Sequence, residues 1–166
     1  MSKGSTPTIR ETPVAERAEA AGTLRVNARV LAVETSQRMD VIDVTSRVAD
    51  IVRTSGIREG SVNVWSLHTT CALMINEFQR ALLADITRIL EELVSRDGGW
   101  LHNDPAHSDC DRANADSHLR AMLLGHSVTL QVSGGEPVLG QWQRVLLAEL
   151  DGPRVRTLRI QVSGIA

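Results

Sequence analysis

The sequence predicts an α+β fold: one domain built as a sandwich of mostly antiparallel strands with two to three helices. Three observations predict it. Strand-like alternation of apolar and polar residues occurs towards both ends of the chain, a long 3.6-residue apolar stripe lies in the middle, and the strands are grouped around the helices without the regular β-helix-β alternation of a parallel sheet. A length of 166 residues suits one domain and is too short for two comfortable ones.

Residues 1–22 are rich in Ser, Thr, Pro, Ala and Glu and are expected to form a tail, with at most a short helix around Ala15 to Ala21. The domain proper is expected over 23–166. Leu24, Val26, Ala28 and Val30 alternate with polar neighbours, the period of a half-buried strand. A second short strand is expected from Met39 to Val44. Thr45 is then placed to cap a helix whose stripe is Val48, Ile51 and Val52, and Gly56 stands where a left-handed residue would end it. The strand from Ser61 to Leu67 turns Val62 and Val64 inward and delivers His68 at its end. Ala72 to Ile75 leads to Asn76 and Glu77. The strongest helix spans Gln79 to Arg96, with Leu82, Leu83, Ile86, Ile89, Leu90, Leu93 and Val94 on one face, and Asp97-Gly98-Gly99 stops it. A polar loop from Leu101 to Arg112 precedes a shorter helix over Asn114 to Leu124. Strands over Ser127 to Val132, Gln143 to Leu150 and Val155 to Val162 finish the fold, joined by Gly- and Pro-containing turns.

Composition removes several classes of function. A formal net charge of −2 gives no broad field for gripping nucleic acid or an acidic membrane. Three Trp, one Phe and no Tyr are too few for base-stacking platforms. No apolar run approaches the ~20 residues of a bilayer span. The first residues lack the apolar centre of a secretory signal, and two cysteines make no disulfide framework, so a reducing, cytoplasmic location is expected.

Chemistry-bearing side chains fall in three stretches. In the first, His68 at a strand end precedes Thr69 and Thr70, whose hydroxyls could donate to an anion or orient the imidazole; equally, the threonines cap a turn around an interior histidine. Glu77 is either a general base or the acidic first-turn residue of the long helix. The second stretch holds His102, Asp104, His107, Cys110, Asp111, Asn114 and His118. A loop histidine and a helix histidine can supply a divalent metal with imidazoles, while a solvated acidic loop with a helix cap is the alternative; Asp111, just before the helix, is placed to cap it or to turn inward to a ligand. Asn114 and His118 are four apart and share a helix face. The spacing matches no stereotyped zinc motif, and Cys110 beside His107 is a weak thiolate candidate. In the third, Trp142 beside Gly140 walls a pocket or belongs to a core or subunit contact. Arg154 and Arg156, two apart, share a strand face as a phosphate clamp or a solvated pair.

In their order these features resemble the YjbQ family, whose members are called secondary thiamine-phosphate synthases. The matching pieces are His68-Thr69-Thr70-Cys71-Ala72-Leu73, Ile75-Asn76-Glu77, His102, Asn114-Ala115 with His118-Leu119, Leu124-Gly125 with Ser127, Leu139-Gly140 with Trp142-Gln143, and Glu149-Leu150-Asp151-Gly152-Pro153-Arg154 with Arg156. The resemblance runs from about Thr23 to Gly164. It implies a small α+β sandwich assembling as a homotrimer, with the histidine clusters near subunit contacts. It also implies a weak activity joining a hydroxymethylpyrimidine diphosphate to a thiazole phosphate, so that the ligand is a small phosphorylated heterocycle. On that footing catalytic work is expected of His68, Asn76, Glu77 and Asn114, and substrate contacts of Thr69, Thr70, Trp142, Gln143 and Arg154. A divalent metal, Zn2+ or Mg2+, is expected on His68, His102 and His118. Two alternatives stand beside it: a metal-assisted hydrolase of a small phosphorylated or carbonyl substrate with Glu77 as base, and a non-catalytic oligomeric ligand-binding protein. Gln131 stands where the family often has proline, Cys71 where a small residue other than cysteine is common, and His107 and His126 match no family position. His126 is expected to be a surface residue.

Overall fold

The apolar alternation at the two ends of the chain has one cause: the first and last strands pair. Strand β1 (Leu24–Glu34) runs antiparallel to β8 (Val155–Ile165) in unbroken register from Leu24↔Ile165 to Glu34↔Val155. In the computed structural model, which describes residues 20–166, the elements between them are β2 (Asp40–Asp43), α1 (Thr45–Ser55), β3 (Glu59–Ser66), β4 (Cys71–Asn76), α2 (Arg80–Leu93), a 3-10 turn (Leu101–Asn103), α3 (Ala115–Leu124), β5 (Ser127–Ser133), β6 (Glu136–Pro137) and β7 (Arg144–Glu149). The helix expected around Ala15 lies mainly outside the described residues; Ala20 and Ala21, within them, are not helical.

Two antiparallel sheets form. One has the strand order β1-β8-β3-β5-β6, the other β2-β7-β4. Between them lies the main core, where Val62 and Val64 of β3, Leu158, Ile160 and Val162 of β8, and Val145 and Leu147 of β7 meet Val48 and Val52 of α1. Strand β7 is apolar on both faces because it is covered on both. Its other face, Ala148 with the following Leu150, packs on Leu90 of α2 and Ala121 of α3. The layers are therefore large sheet, core with α1, small sheet, and α2 with α3, an α+β arrangement as predicted. No helix among the described residues is long and apolar enough to cross a membrane.

Three local expectations are corrected. Leu24, Val26 and Val30 face outward at 69%, 62% and 67% exposure, because the opposite parity of β1, Leu31 and Val33, meets the core. Period-2 patterning identified the strand but not its inner face. Thr45 does not cap α1: Asp43 Oδ1 accepts its backbone N–H at 2.8 Å, and the Thr45 hydroxyl accepts from Val145 N–H. Asn103 Oδ1, not Asp111, accepts the N–H of Ala115 at the start of α3. Gly56 does end α1 in the left-handed region, at φ 73°.

At one end of the sandwich the core finishes in an ion pair. Glu149 (0% exposed) continues the inward parity of Val145 and Leu147, and Arg156 (1% exposed) continues that of Leu158. Arg156 Nε donates to Glu149 Oε2 at 2.6 Å and its Nη2 to Oε1, so a side chain of the small sheet grips one of the large sheet. Thr35 Oγ1 donates to the same carboxylate at 2.9 Å, the N–H groups of Leu150 and Asp151 donate at 2.8 Å, and Arg156 also holds Thr70 through its carbonyl and hydroxyl. Burial pushes the Glu149 pKa up, but the Arg156 hydrogen bond, the Asp151 N–H and Thr35 together hold it below the usual carboxylate value of 4.5.

Removing one member leaves the other charged and dry. Glu149→Gln and Arg156→Met are each expected to lower the unfolding free energy by about 3–5 kcal/mol in denaturant titrations, the double variant by less than the sum. Because Glu149 titrates lower in the folded chain than unfolded, its contribution is present above about pH 4.5 and is lost as pH falls through the depressed native value. That acid-dependent loss should be missing from Glu149→Gln.

Candidate functional site

Two residues beyond the ion pair, the chain places a second buried carboxylate, and around it the site is built. Asp151 (3% exposed) accepts from Asn114 Nδ2 at 2.8 Å and from Arg154 Nη2 at 3.1 Å on Oδ2, and from Arg38 Nη1 at 3.3 Å on Oδ1. Arg112 Nε lies 3.4 Å from Oδ2. Arg38 also reaches Asp116 (0% exposed) with Nη2 at 3.0 Å, and Arg120, one helical turn on, reaches it at 3.1 Å. These groups come from the β1–β2 connection, the loop before α3, α3 itself and the β7–β8 turn. The turn is tight: Gly152 N–H donates to the Arg38 carbonyl, and a Cβ on Gly152 would collide with the Gln37 carbonyl oxygen, so only glycine fits.

Beside this cluster is a cleft of about 350 Å³ lined by Trp100, Leu101, His102, Ala115, His118 and Leu119. Trp100 is held by its indole N–H on the Ser95 carbonyl at 2.8 Å. His102, from the 3-10 turn, and His118, from α3, stand edge to face with ring centroids 5.1 Å apart. Burial, and then the neighbouring His102, push the His118 pKa below its ordinary 6.5, against the raising influence of Asp151. At neutral pH His118 is an uncharged imidazole beside an apolar wall.

His68 faces a different cleft, of about 440 Å³, with Trp65, Ser66, Leu67, Thr69 and His126. Its Nε2 accepts the backbone N–H of Thr157 at 2.8 Å, which fixes the neutral tautomer with the proton on Nδ1. Burial, then Arg156, lower its pKa against the opposing Glu149. Of the two threonines beside it, Thr69 is exposed and lines this cleft, whereas Thr70 is buried on Arg156. His126, expected at the surface, is half-buried and lines this cleft, and its Nε2 is buried without a hydrogen-bond partner among the described residues. Cys71 is buried with Sγ 3.0 Å from Ser66 Oγ, and burial raises its thiol pKa, the wrong direction for a nucleophile.

The remaining expected residues are elsewhere. In the small sheet Cys71 pairs with Glu149 and Asn76 with Arg144, so Asn76, Glu77, Trp142 and Gln143 collect at the opposite end of β4 and β7, five residues or about 17 Å along the strand. Trp142 is 63% exposed there, and Gln143 Oε1 accepts from Gly140 N–H. Within one chain these four do not reach the His102–His118 cleft. Nor do Arg154 and Arg156 form a clamp: Arg154 precedes β8 and turns to Asp151, while Arg156 is spent on Glu149 and Thr70. Within one chain, the described residues do not bring together the trio expected to hold zinc or magnesium. His68 has its Nε2 engaged, and among the described residues no three His, Cys, Asp or Glu side chains converge. Sequence reasoning missed Trp100, Arg38, Arg112 and the hub role of Asp151. Asp116 and Arg120 were missed as well, although their spacing of four on α3 is that of a helix ion pair.

Imidazole NMR titration is expected to give midpoints below 6.5 for both His68 and His118, with His118 moving upward in His102→Ala. Each group binds protons less readily folded than unfolded, so the stability it carries is present above pH 6.5 and lost as pH falls below it. A wild-type His118 midpoint at or above 6.5 would contradict the assigned burial.

Comparison with known proteins agrees with this architecture. The family model described as UPF0047 protein YjbQ-like matches residues 29–165. A UPF0047 protein of Methanothermobacter thermautotrophicus is 45% identical over 141 residues, 85% of this chain and 94% of its own. The UPF0047 protein YugU of Bacillus subtilis is 30% identical over 82% of this chain and 98% of its own. Among solved structures, a YbjQ-like protein of unknown function from Sulfolobus solfataricus superposes with a TM-score of 0.80 at 34% identity, covering 86% of this chain and 99% of that one. An uncharacterised conserved protein of the yjbq/upf0047 family from Clostridium acetobutylicum gives 0.73 at 28% identity, covering 81% and 98%. With a family match over most of its length and relatives at this identity, the chain belongs to the YjbQ/UPF0047 family.

Proposed function

We propose that the protein is a transferase of small phosphorylated heterocycles, of the thiamine-phosphate synthase type. It would join a hydroxymethylpyrimidine diphosphate to a thiazole phosphate and release diphosphate. The observation that carries this reading is the juxtaposition of an apolar, tryptophan-walled cleft with the arginines gathered on Asp151. Such a reaction needs a slot for a flat ring, shielding from water and countercharge for a leaving diphosphate. The thiazole nitrogen would give its electron pair to the pyrimidine methylene carbon as the C–O bond to diphosphate breaks, that bond's pair leaving with the diphosphate. Trp100, Leu101 and Leu119 suit the ring, Arg154 the diphosphate, and neutral His118 a hydrogen bond at the ring edge. Asn114, buried on Asp151, would position the arginines and not touch substrate.

No step is assigned to a metal, because the imidazoles of one chain do not close a coordination shell. The hydrolase alternative draws less support, since Glu77 lies a strand's length from His102 and His118. The test is product formation from both substrates by the purified protein. Arg154→Ala is expected to lower the rate on the order of 100-fold. Absence of thiamine phosphate with the wild type would overturn the transferase reading. Stabilisation by phosphorylated heterocycles in a thermal-shift series would then favour non-catalytic binding.

The same proposal includes a cytoplasmic homotrimer. Its support is the helix-free outer face of the large sheet, where Leu24, Val26, Val30 and Trp65 are exposed. An assembly could bring the Glu77 end of one chain towards the histidines of another. Light scattering is expected to give about three times the 18.1 kDa chain mass, falling to one in Val26→Glu/Val30→Glu. A monomeric wild type removes the trimer.

A further inference from the structure

We propose that Arg112, Arg154 and Arg38 form a preformed subsite for a dianionic phosphate or diphosphate group, held open by Asp151 at their centre. The inference rests on the transferase reading for what the rest of the ligand is, but the subsite is argued from its own charge balance. Two carboxylates, Asp116 and Asp151, are in direct contact with four guanidinium groups, Arg38, Arg112, Arg120 and Arg154. Four charges against two leave an excess of two. A network that served only to hold the fold together would approach neutrality, because unmatched charge at a buried cluster opposes folding.

The excess is not spread evenly. Arg120 is 3% exposed and is consumed by Asp116 and the Val94 carbonyl. Arg38 and Arg154 are 29% and 31% exposed and Arg112 51%, so the surplus sits at the surface end of the cluster. Donors are left over there as well. Arg154 spends Nε on the Asp151 carbonyl and Nη2 on its carboxylate, which leaves Nη1. Arg112 meets Asp151 through Nε alone, which leaves both terminal nitrogens without an acceptor among the described residues. Planar forks with free N–H groups around a surplus of two charges match a phosphate dianion.

The backbone supplies an independent sign. Ala113, between Arg112 and Asn114, lies in the left-handed region at φ 47°, which residues with a Cβ other than Asn and Asp seldom adopt. The side chains on both sides of it meet the same oxygen, Asp151 Oδ2. Strain kept at a position that aims two polar side chains at one point is characteristic of a binding site.

The test is calorimetric titration of the full chain with inorganic pyrophosphate in metal-free buffer, apart from any turnover. Wild type is expected to bind it, Arg112→Ala at least tenfold more weakly, Arg112→Lys between the two, and Arg88→Ala, an exposed arginine of α2, like wild type. Arg154→Gln is a second variant, expected to weaken binding similarly. No binding by wild type at millimolar pyrophosphate, or Arg112→Ala binding as wild type does, overturns the subsite. Orthophosphate and a pyrimidine-bearing phosphate monoester distinguish the source. Tighter binding of the monoester supports the subsite as part of an organic-phosphate site, and equal binding supports it as one for the free anion. If pyrophosphate binds but no thiamine phosphate forms, the reaction is lost and the subsite stands.

Discussion

The fold depends on one contact between its two sheets, the pairing of Glu149 with Arg156 where the core ends. Apolar packing joins the sheets along most of their length, but it is non-directional and would tolerate sliding. A carboxylate and a guanidinium, both out of water, do not: each must meet the other, and Thr35, Thr70 and two backbone N–H groups must take the remaining hydrogen-bonding capacity. Such a pair adds little net stability over a well-packed apolar substitute. It sets the register of β7 against β8, and with it the position of the residues between those strands.

The Asp151 hub lies among those residues, and its place explains the asymmetry of the molecule. The polar machinery gathers at the Glu149 end of the small sheet, His68 on one side and His118 on the other, each beside its own cleft. Both imidazoles are neutral near pH 7 because burial outweighs the pull of the nearest carboxylate. In the proposed anion site the arginines would hold the charge, and a neutral imidazole would neither compete for it nor repel an attached ring.

Much of the fold was legible in the sequence. Helix α2 declared itself by a stripe of leucines and isoleucines at 3.6-residue spacing, and Gly56 marked the end of α1, but α2 stops at Leu93, short of the expected Arg96 and the Asp97-Gly98-Gly99 run. The strands showed their period but not their facing, since Leu24, Val26 and Val30 look the same whether they meet the core or solvent. The site was legible only as residue types. Histidine and asparagine positions stood out, but whether Arg154 and Arg156 share a target depends on a turn that ends between them. Whether Glu77 can reach His118 depends on the pairing of Asn76 with Arg144, which no local spacing encodes. Trp100 carried no motif, since its partner is a backbone carbonyl five residues back, and Arg38 carried none because the two aspartates become its neighbours only after the chain has folded back.

The strand order of the large sheet has a consequence for how the chain acquires its shape. β8, the last element, lies between β1, the first, and β3. Until β8 has been synthesised, β1 has no described partner and β3 lacks one of its two. Contacts separated by 92 to 141 residues must close before the sheet is continuous. This is a high-contact-order topology, in which loop-closure entropy is met before the pairing that offsets it, and it folds slowly. On the ribosome, β1 waits as an unpaired edge with an apolar face, a stage at which sticking to other chains competes with folding.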